Sequence, residues 1–260
     1  MNTHETSENG PILSLEKVSK AFGGVQAVRD VSFAVERGRI HAVIGPNGAG
    51  KTTLFNLVTG VYTPDAGRIV FKGRPIAGVP VHALVALGMG RTFQNVELFS
   101  GMSVLENVLV GRHCRTKAGF WGAVLKPASV RDEEGSARSF ALSMLDFVGM
   151  AHAAERRAGD LPFGWQRMCE IARALAGEPE LLLLDEPAAG LNASETRELA
   201  SLILKIRDLG VTVLLVEHDM SLTMEISDRI AVLDQGALLA IGAPREIQAD
   251  QRVIAAYLGA

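Results

Sequence analysis

Between a short apolar run and a segment of helical spacing, this chain reads "GPNGAGKTT", Gly45 to Thr53. The stretch satisfies G-x-x-x-x-G-K-[ST]. "RIHAVIG" before it reads as a buried strand, and "GKTTLFNLVTG" reads as a helix closed by Gly60. That context restricts the fold: a strand must deliver the loop and a helix must start inside it, as in an α/β sheet. Glycines let the backbone wrap closely around phosphate oxygens, so the amides of Gly48, Gly50, Lys51 and Thr52 are expected to point inward as donors. Lys51 is expected to reach the outer phosphates and the Thr52 hydroxyl to ligate magnesium. Pro46, Asn47, Ala49 and Thr53 complete the expected nucleotide loop.

Two further strand ends carry chemistry. "LLLLDE" places Asp185 at the end of an apolar strand, where its carboxylate can hold magnesium, and Glu186 one residue on, where it can orient an attacking water and accept its proton. "VTVLLVEHD" places His218 after another buried strand, level with Asp185 if both strands share one parallel sheet. An imidazole there can donate to a terminal phosphate. The other five of the six histidines have no such context.

Around these motifs the pattern changes twice. "ILSLEKVSKAFGGVQAVRDVSF" predicts antiparallel strands and a turn, and "TPDAGRIVFKG" a turn and a short strand. From Ser103 to Leu161 strand signals are few and helical spacing dominates, interrupted by the irregular basic and aromatic "RHCRTKAGFWGAVLKPASVRDE". After Leu161 strand and helix alternate again, ending in a hairpin, "RIAVLDQGALLAIGAP". Strands without alternation fit a parallel sheet covered on both faces. The expected architecture is α/β: residues 1–11 a flexible tail, then a single domain at 12–260. Within it, 12–94 and 166–260 form a nucleotide-binding core with an antiparallel β subdomain, and 95–165 an inserted helical subdomain.

Composition narrows the function classes. The chain has 260 residues, 48% of them hydrophobic, which suffices for a sizeable core, and a net charge of −3 that gives no global pointer to nucleic acid. Its two cysteines, Cys114 and Cys169, form no zinc or disulfide pattern, so a reducing compartment is the natural reading. "MNTHETSENGP" lacks the pattern of a signal peptide, and "LLLL" is far too short to span a bilayer, so any membrane role is expected to be peripheral.

Taken in order, these motifs resemble the nucleotide-binding subunit of an ATP-binding cassette transporter, over nearly the whole chain. "GPNGAGKTT" is similar to the family's Walker A loop of P-loop NTPases, "RTFQNVELF" to its Q-loop with Gln94 as the glutamine, "LLLLDEP" to Walker B, "AAGLN" to the D-loop, and His218 to the switch histidine. Phe22 falls where the family stacks an aromatic on adenine. "LPFGWQRMCEIARAL" occupies the place of the signature motif. "EIARALAGEPELLLLDEPAAGLN", "VEHDM", "SDRI" and "AAYLG" are similar to the ATP-binding subunits of branched-chain amino-acid importers; urea and amide importers are close relatives.

The resemblance implies a head-to-tail dimer with a second cassette, identical or related, that traps ATP with magnesium. It also implies two transmembrane permeases, a periplasmic solute-binding protein, no nucleic acid, and a place on the cytoplasmic face of the bacterial inner membrane. It implies that Gly45–Thr53 and Phe22 hold the nucleotide; Thr52, Asp185 and Gln94 serve magnesium and the water; Glu186 is the general base; and His218 contacts the terminal phosphate. Pro162, Phe163 and Gly164 would face that phosphate from the opposite subunit. A groove lined by Phe93, Val96, Leu98, Phe99 and Met102 would receive a helix of the membrane partner, with core residues of the subdomain as the plainer reading.

Two departures from the family pattern carry expectations. Asn192 stands at the D-loop's usual aspartate and would lower charge at the dimer contact. Pro162 replaces the signature serine; it suits a first helical turn, with Asp160 as a substitute cap and Trp165 packed at the dimer seam. DNA-repair ATPases insert coiled coils or zinc modules between the Walker motifs, and neither sustained heptads nor zinc spacing is present here. Translation-factor ATPases carry two cassettes where this chain has one, and intact Lys51, Asp185, Glu186 and His218 argue against an inactive binding module.

Overall fold

The computed structural model describes residues 10–94, 96–113 and 128–258. Residues 1–9 of the expected tail and most of the irregular basic and aromatic segment lie outside the described residues. So does Cys114; Cys169 is a free, buried thiol, its pKa pushed up to about 12 by burial.

Among the described residues, ten strands form two sheets. In the first, β1 (Leu13–Phe22) pairs antiparallel with β2 (Val25–Val35) and with β4 (Ala66–Phe71), and β5 (Arg74–Pro75) closes the edge in the order β2-β1-β4-β5. In the second, β3 (Ile40–Ile44), β6 (Met89–Arg91), β7 (Leu181–Asp185), β8 (Thr212–Val216), β9 (Arg229–Asp234) and β10 (Ala237–Gly242) run in the order β10-β9-β3-β8-β7-β6. All neighbours in it are parallel except the final hairpin, β9 with β10.

The unbroken apolar strands are explained by burial on both faces. Along β7, Leu181 and Leu183 join one core, shared with β1, β2 and α1 (Lys51–Val58), while Leu182 and Leu184 join another. That second core lies under α5 (Phe163–Ala176) and α6 (Ala193–Asp208). Successive side chains of a strand point to opposite faces, so a strand sandwiched between two layers is apolar at every position. Each fully buried leucine contributes about 1.5–3 kcal/mol relative to exposure.

A third core belongs to the inserted helices: α3 (Val104–Arg112), α4 (Ala128–Phe147) and one face of α5. Ser103 and Glu106 form a reciprocal capping box at the start of α3. Buried Asn107 accepts from the Phe99 amide and donates to the Phe99 and Ser103 carbonyls, which holds the chain entering the helix. The boundary expected at 165/166 falls inside α5. That helix is amphipathic on two sides: Cys169, Ala172 and Ala176 pack in the third core, Ile171 and Leu175 in the second. One rigid helix therefore belongs to both bodies.

Short helices α2 (Val81–Ala86), α7 (Met220–Ile226), α8 (Pro244–Ala249) and α9 (Gln251–Leu258), with 3-10 turns at Ala151–Ala153 and Ala158–Asp160, complete the described elements. Among the described residues no helix is long and apolar enough to cross a membrane.

Candidate functional site

The glycine loop hangs from the end of β3 and runs into α1. A Cβ on Gly45 would lie 2.1 Å from the Leu233 carbonyl oxygen of β9, and one on Gly50, at φ 96°, 2.3 Å from the Ala27 carbonyl oxygen of β2. Neither position admits a larger residue, because in each case the obstacle is backbone. The amides of Gly48, Gly50, Lys51 and Thr52 find no acceptor among the described residues. A cradle of unpaired donors at a helix start fits a polyphosphate. Lys51 is buried and folds its ammonium back onto the carbonyls of Gly45 and Pro46, at 2.7 and 3.0 Å. Burial lowers its pKa, and the nearby Glu186 carboxylate opposes that shift.

Asp185 ends β7 opposite Val216 of β8, so His218 stands two residues beyond it at the same rim of the sheet. Glu186 leaves the strand with φ 45°, and its Oε2 accepts from Gln94 Nε2 at 3.0 Å while lying 3.7 Å from His218 Nδ1. Two side chains from segments far apart in sequence, Gln94 and His218, thus meet at one carboxylate. Asp185 is buried; burial raises its pKa and Arg91 opposes the rise. Arg91 donates to Asp185 Oδ2 at 3.1 Å and to the Thr59 hydroxyl at 2.6 Å. The Thr52 hydroxyl, the Asp185 carboxylate and the Gln94 carboxamide oxygen are hard oxygen donors, a set that fits magnesium. Phe22 is 43% exposed, with Tyr62 edge-on to it at 5.2 Å between ring centroids. The Lys20 ammonium lies over its ring, 5.5 Å from the centroid.

The signature segment differs in detail from what its residue types predict. Pro162 is the residue before the helix, not a member of its first turn; at φ −55° and ψ 150° it is extended, and α5 begins at Phe163. No side chain caps this start, so Asp160, which ends a 3-10 turn, is not a substitute cap. The Pro162 carbonyl accepts from the Trp165 and Gln166 amides instead, leaving those of Phe163 and Gly164 free among the described residues. Trp165 turns inward: it packs on the third core, edge-on to His152 at 4.9 Å and beneath the Arg156 guanidinium. The ring is half-buried, so this packing takes up one side of it and leaves the rest exposed.

Asn192 also has an internal role. It is the N-cap of α6, accepting from the Ser194 and Glu195 amides while Glu195 accepts from its own amide. Asparagine is among the best residues at that position. Of the expected groove residues, Phe93, Phe99 and Met102 are exposed, whereas Leu98 packs on the third core and Val96 is half-buried.

Three charged residues escape motif reading. Arg167 and Glu170 pair at 2.8 Å inside α5 with no exposure, and together they grip the backbone of the Gln94 loop. Glu217, next to His218, is fully buried.

Comparison with known proteins agrees with this arrangement. The ABC transporter family profile matches residues 28–189, and that of the branched-chain amino acid ATP-binding cassette transporter matches residues 237–260. The chain is 47% identical over 250 residues to the high-affinity branched-chain amino acid transport ATP-binding protein BraF of Pseudomonas aeruginosa, covering 96% of this chain and 98% of that protein. It is 45% identical, with the same coverage, to the transport ATP-binding protein LivG of Escherichia coli. Among solved structures, the ADP conformation of an ATP-binding cassette of an ABC transporter superposes with a TM-score of 0.84 at 31% identity, covering 96% of this chain and 99% of that one. A nucleotide-free cassette superposes with a TM-score of 0.83 at 30% identity, covering 96% and 100%. The α/β core, the inserted helices and these similarities lead to one conclusion: this chain belongs to the ABC transporter family, as an ATP-hydrolysing nucleotide-binding subunit.

Proposed function

We propose that this subunit powers an importer of branched-chain or other hydrophobic amino acids. It would work as a head-to-tail pair with a second cassette, identical or related, at the cytoplasmic face of the bacterial inner membrane. Two permeases and a periplasmic solute-binding protein would complete the system. The observation that carries the mechanism is the convergence of Gln94 and His218 on Glu186, beside the Lys51 loop.

In this reading the amides of Gly48, Gly50, Lys51 and Thr52 and the Lys51 ammonium hold the phosphates of ATP, and Phe22 stacks on the adenine. The Lys51 ammonium, now resting on two carbonyls, exchanges them for phosphate oxygens. Thr52, Asp185 and Gln94 would hold magnesium, which when bound neutralises charge on the outer phosphates. Glu186 Oε2 orients the attacking water and takes its proton, and His218 donates to the terminal phosphate. Pro162, Phe163 and Gly164 complete a second subunit's site, with the free amides of Phe163 and Gly164 and the start of α5 facing its terminal phosphate. The transferred phosphoryl group is stabilised by positioning and electrostatics more than by covalent chemistry.

The solute class rests on the similarity to transport proteins named for branched-chain amino acids. The test is uptake of labelled leucine, isoleucine, valine and urea by cells with and without the gene, complemented by wild type or Glu186→Gln. Leucine-class uptake that disappears with the gene and is not restored by Glu186→Gln is expected. Urea uptake alone would move the assignment to the amide importers, and full rescue by Glu186→Gln would remove the base assignment.

A further inference from the structure

The apolar strand β8 ends at Val216, and the next side chain is a carboxylate with no solvent exposure. Glu217 Oε1 accepts from the Ala188 amide at 2.8 Å. Its Oε2 accepts from the His218 amide at 2.9 Å and the Asp219 amide at 3.2 Å. No lysine or arginine among the described residues pairs with it; the His218 ring lies 3.9 Å away. A carboxylate buried without such a partner is costly unless hydrogen bonds compensate. Three backbone donors on two oxygens do so here, and they come from two segments 29 residues apart.

Each segment leads to a different part of the catalytic apparatus. The turn after β8 carries His218, whose Nδ1 lies 3.7 Å from Glu186 Oε2. The loop after Glu186 is folded by bonds from Ala189 to Glu186 and from Leu191 to Ala188. Its Gly190 lies against the ring of Phe163, the first residue of α5: a Cβ there would meet Cε1 at 3.0 Å. A continuous path of contacts therefore runs from the imidazole, through one carboxylate, to the signature segment.

We propose that Glu217 is a positioning residue that locks the 187–191 loop and His218 into one unit, so that the imidazole and the Phe163 end of the signature helix are set together. This rests on the reading of His218 as the group that meets the terminal phosphate. Glu217 touches neither nucleotide nor water; it acts through its two neighbours.

The carboxylate is chemically specific. A carboxamide of the same shape keeps one acceptor oxygen and replaces the other with an NH2 group. Facing its oxygen to His218 and Asp219, it must point its NH2 at the Ala188 N–H, donor against donor. Glu217→Gln therefore releases the 187–191 loop selectively, without removing any group that binds ATP. Glu217→Asp retains the charge but is one methylene too short to bridge both segments, and supplies a second variant should the first not fold.

The experiment measures steady-state ATP hydrolysis and equilibrium binding of a fluorescent ATP analogue for wild type, Glu217→Gln, Glu217→Asp, His218→Ala and the double variant Glu217→Gln/His218→Ala. Glu217→Gln and Glu217→Asp are expected to lower kcat by roughly tenfold or more, with KM and analogue affinity within about twofold of wild type. In the His218→Ala background, the loss caused by Glu217→Gln is expected to be smaller than in wild type, because residues acting as a unit are not additive. Unchanged kcat in both Glu217 variants, fully additive losses, or a loss of kcat matched by loss of affinity would each overturn the proposal. Failure of the underlying reading looks different: His218→Ala itself would keep normal turnover.

Discussion

Arg167 Nη1 and Glu170 Oε2 lie 2.8 Å apart with neither side chain exposed, and both residues also bond the backbone of Phe93, while Arg167 holds the Gln94 carbonyl as well. The signature helix thereby grips the loop that presents Gln94 to Glu186. Burial pushes the Glu170 carboxyl up, and the amide of Phe93 and the Arg167 guanidinium oppose the shift. Removing one member of such a pair leaves the other charge buried alone. Arg167→Ala is expected to destabilise the protein by about 3–5 kcal/mol in denaturant unfolding. A loss below about 1 kcal/mol, the range of exposed pairs, would show that the pair is not insulated from solvent.

The phosphate loop separates two kinds of damage. Lys51→Ala removes a cation but leaves the backbone path intact, so the folded protein should lose affinity for ATP while unfolding normally. Gly45→Ala places a methyl where the Leu233 carbonyl oxygen would be 2.1 Å away, so it should distort the loop, lower stability and abolish binding together. Calorimetric titration with ATP alongside thermal melts distinguishes the two patterns. Wild-type affinity in Lys51→Ala would exclude the phosphate-loop assignment.

Pro162→Ser converts an uncapped helix start into a capped one. The backbone is already extended at φ −55° and ψ 150°, as a serine cap requires. A stability gain of about 1 kcal/mol is expected, with ATP hydrolysis unchanged or raised. A sharp fall in hydrolysis would mean that the proline ring itself shapes the segment.

Acid sensitivity should trace in part to His41, whose Nε2 accepts from the Glu36 amide. Burial lowers its pKa from 6.5 to about 4. The folded state therefore favours the neutral ring: the contribution is complete above pH 6.5 and is lost as pH falls towards 4. Between those limits unfolding free energy should fall by about 1.4 kcal/mol per pH unit from this residue alone. His41→Gln, which cannot be protonated, should show a shallower slope in urea titrations at pH 7, 6 and 5 (set as roughly unit steps across the window). Equal slopes would assign the acid response elsewhere.

The motifs with local logic were legible in the chain itself. "GPNGAGKTT" between a strand and a helix needs no distant partner to be read, and four apolar residues before Asp185 announce a strand buried on both faces. Hydrophobic period and turn signals announced an α/β core with an inserted helical block, but not the short strands Arg74–Pro75 and Met89–Arg91 or the order β10-β9-β3-β8-β7-β6.

What tertiary structure decided is where side chains without local logic go. Trp165 and Asn192 sit in segments that family pattern associates with a subunit seam, and within the chain the first packs one side against a core and the second caps a helix. Arg167, Glu170 and Glu217 belong to no local motif, and only the folded chain shows the backbone donors and acceptors that make their burial tolerable. Periodicity reports which face a residue occupies. The hydrogen-bond partners of a buried charge come from segments up to 77 residues away, in the case of Phe93 and Glu170, and no local window contains them.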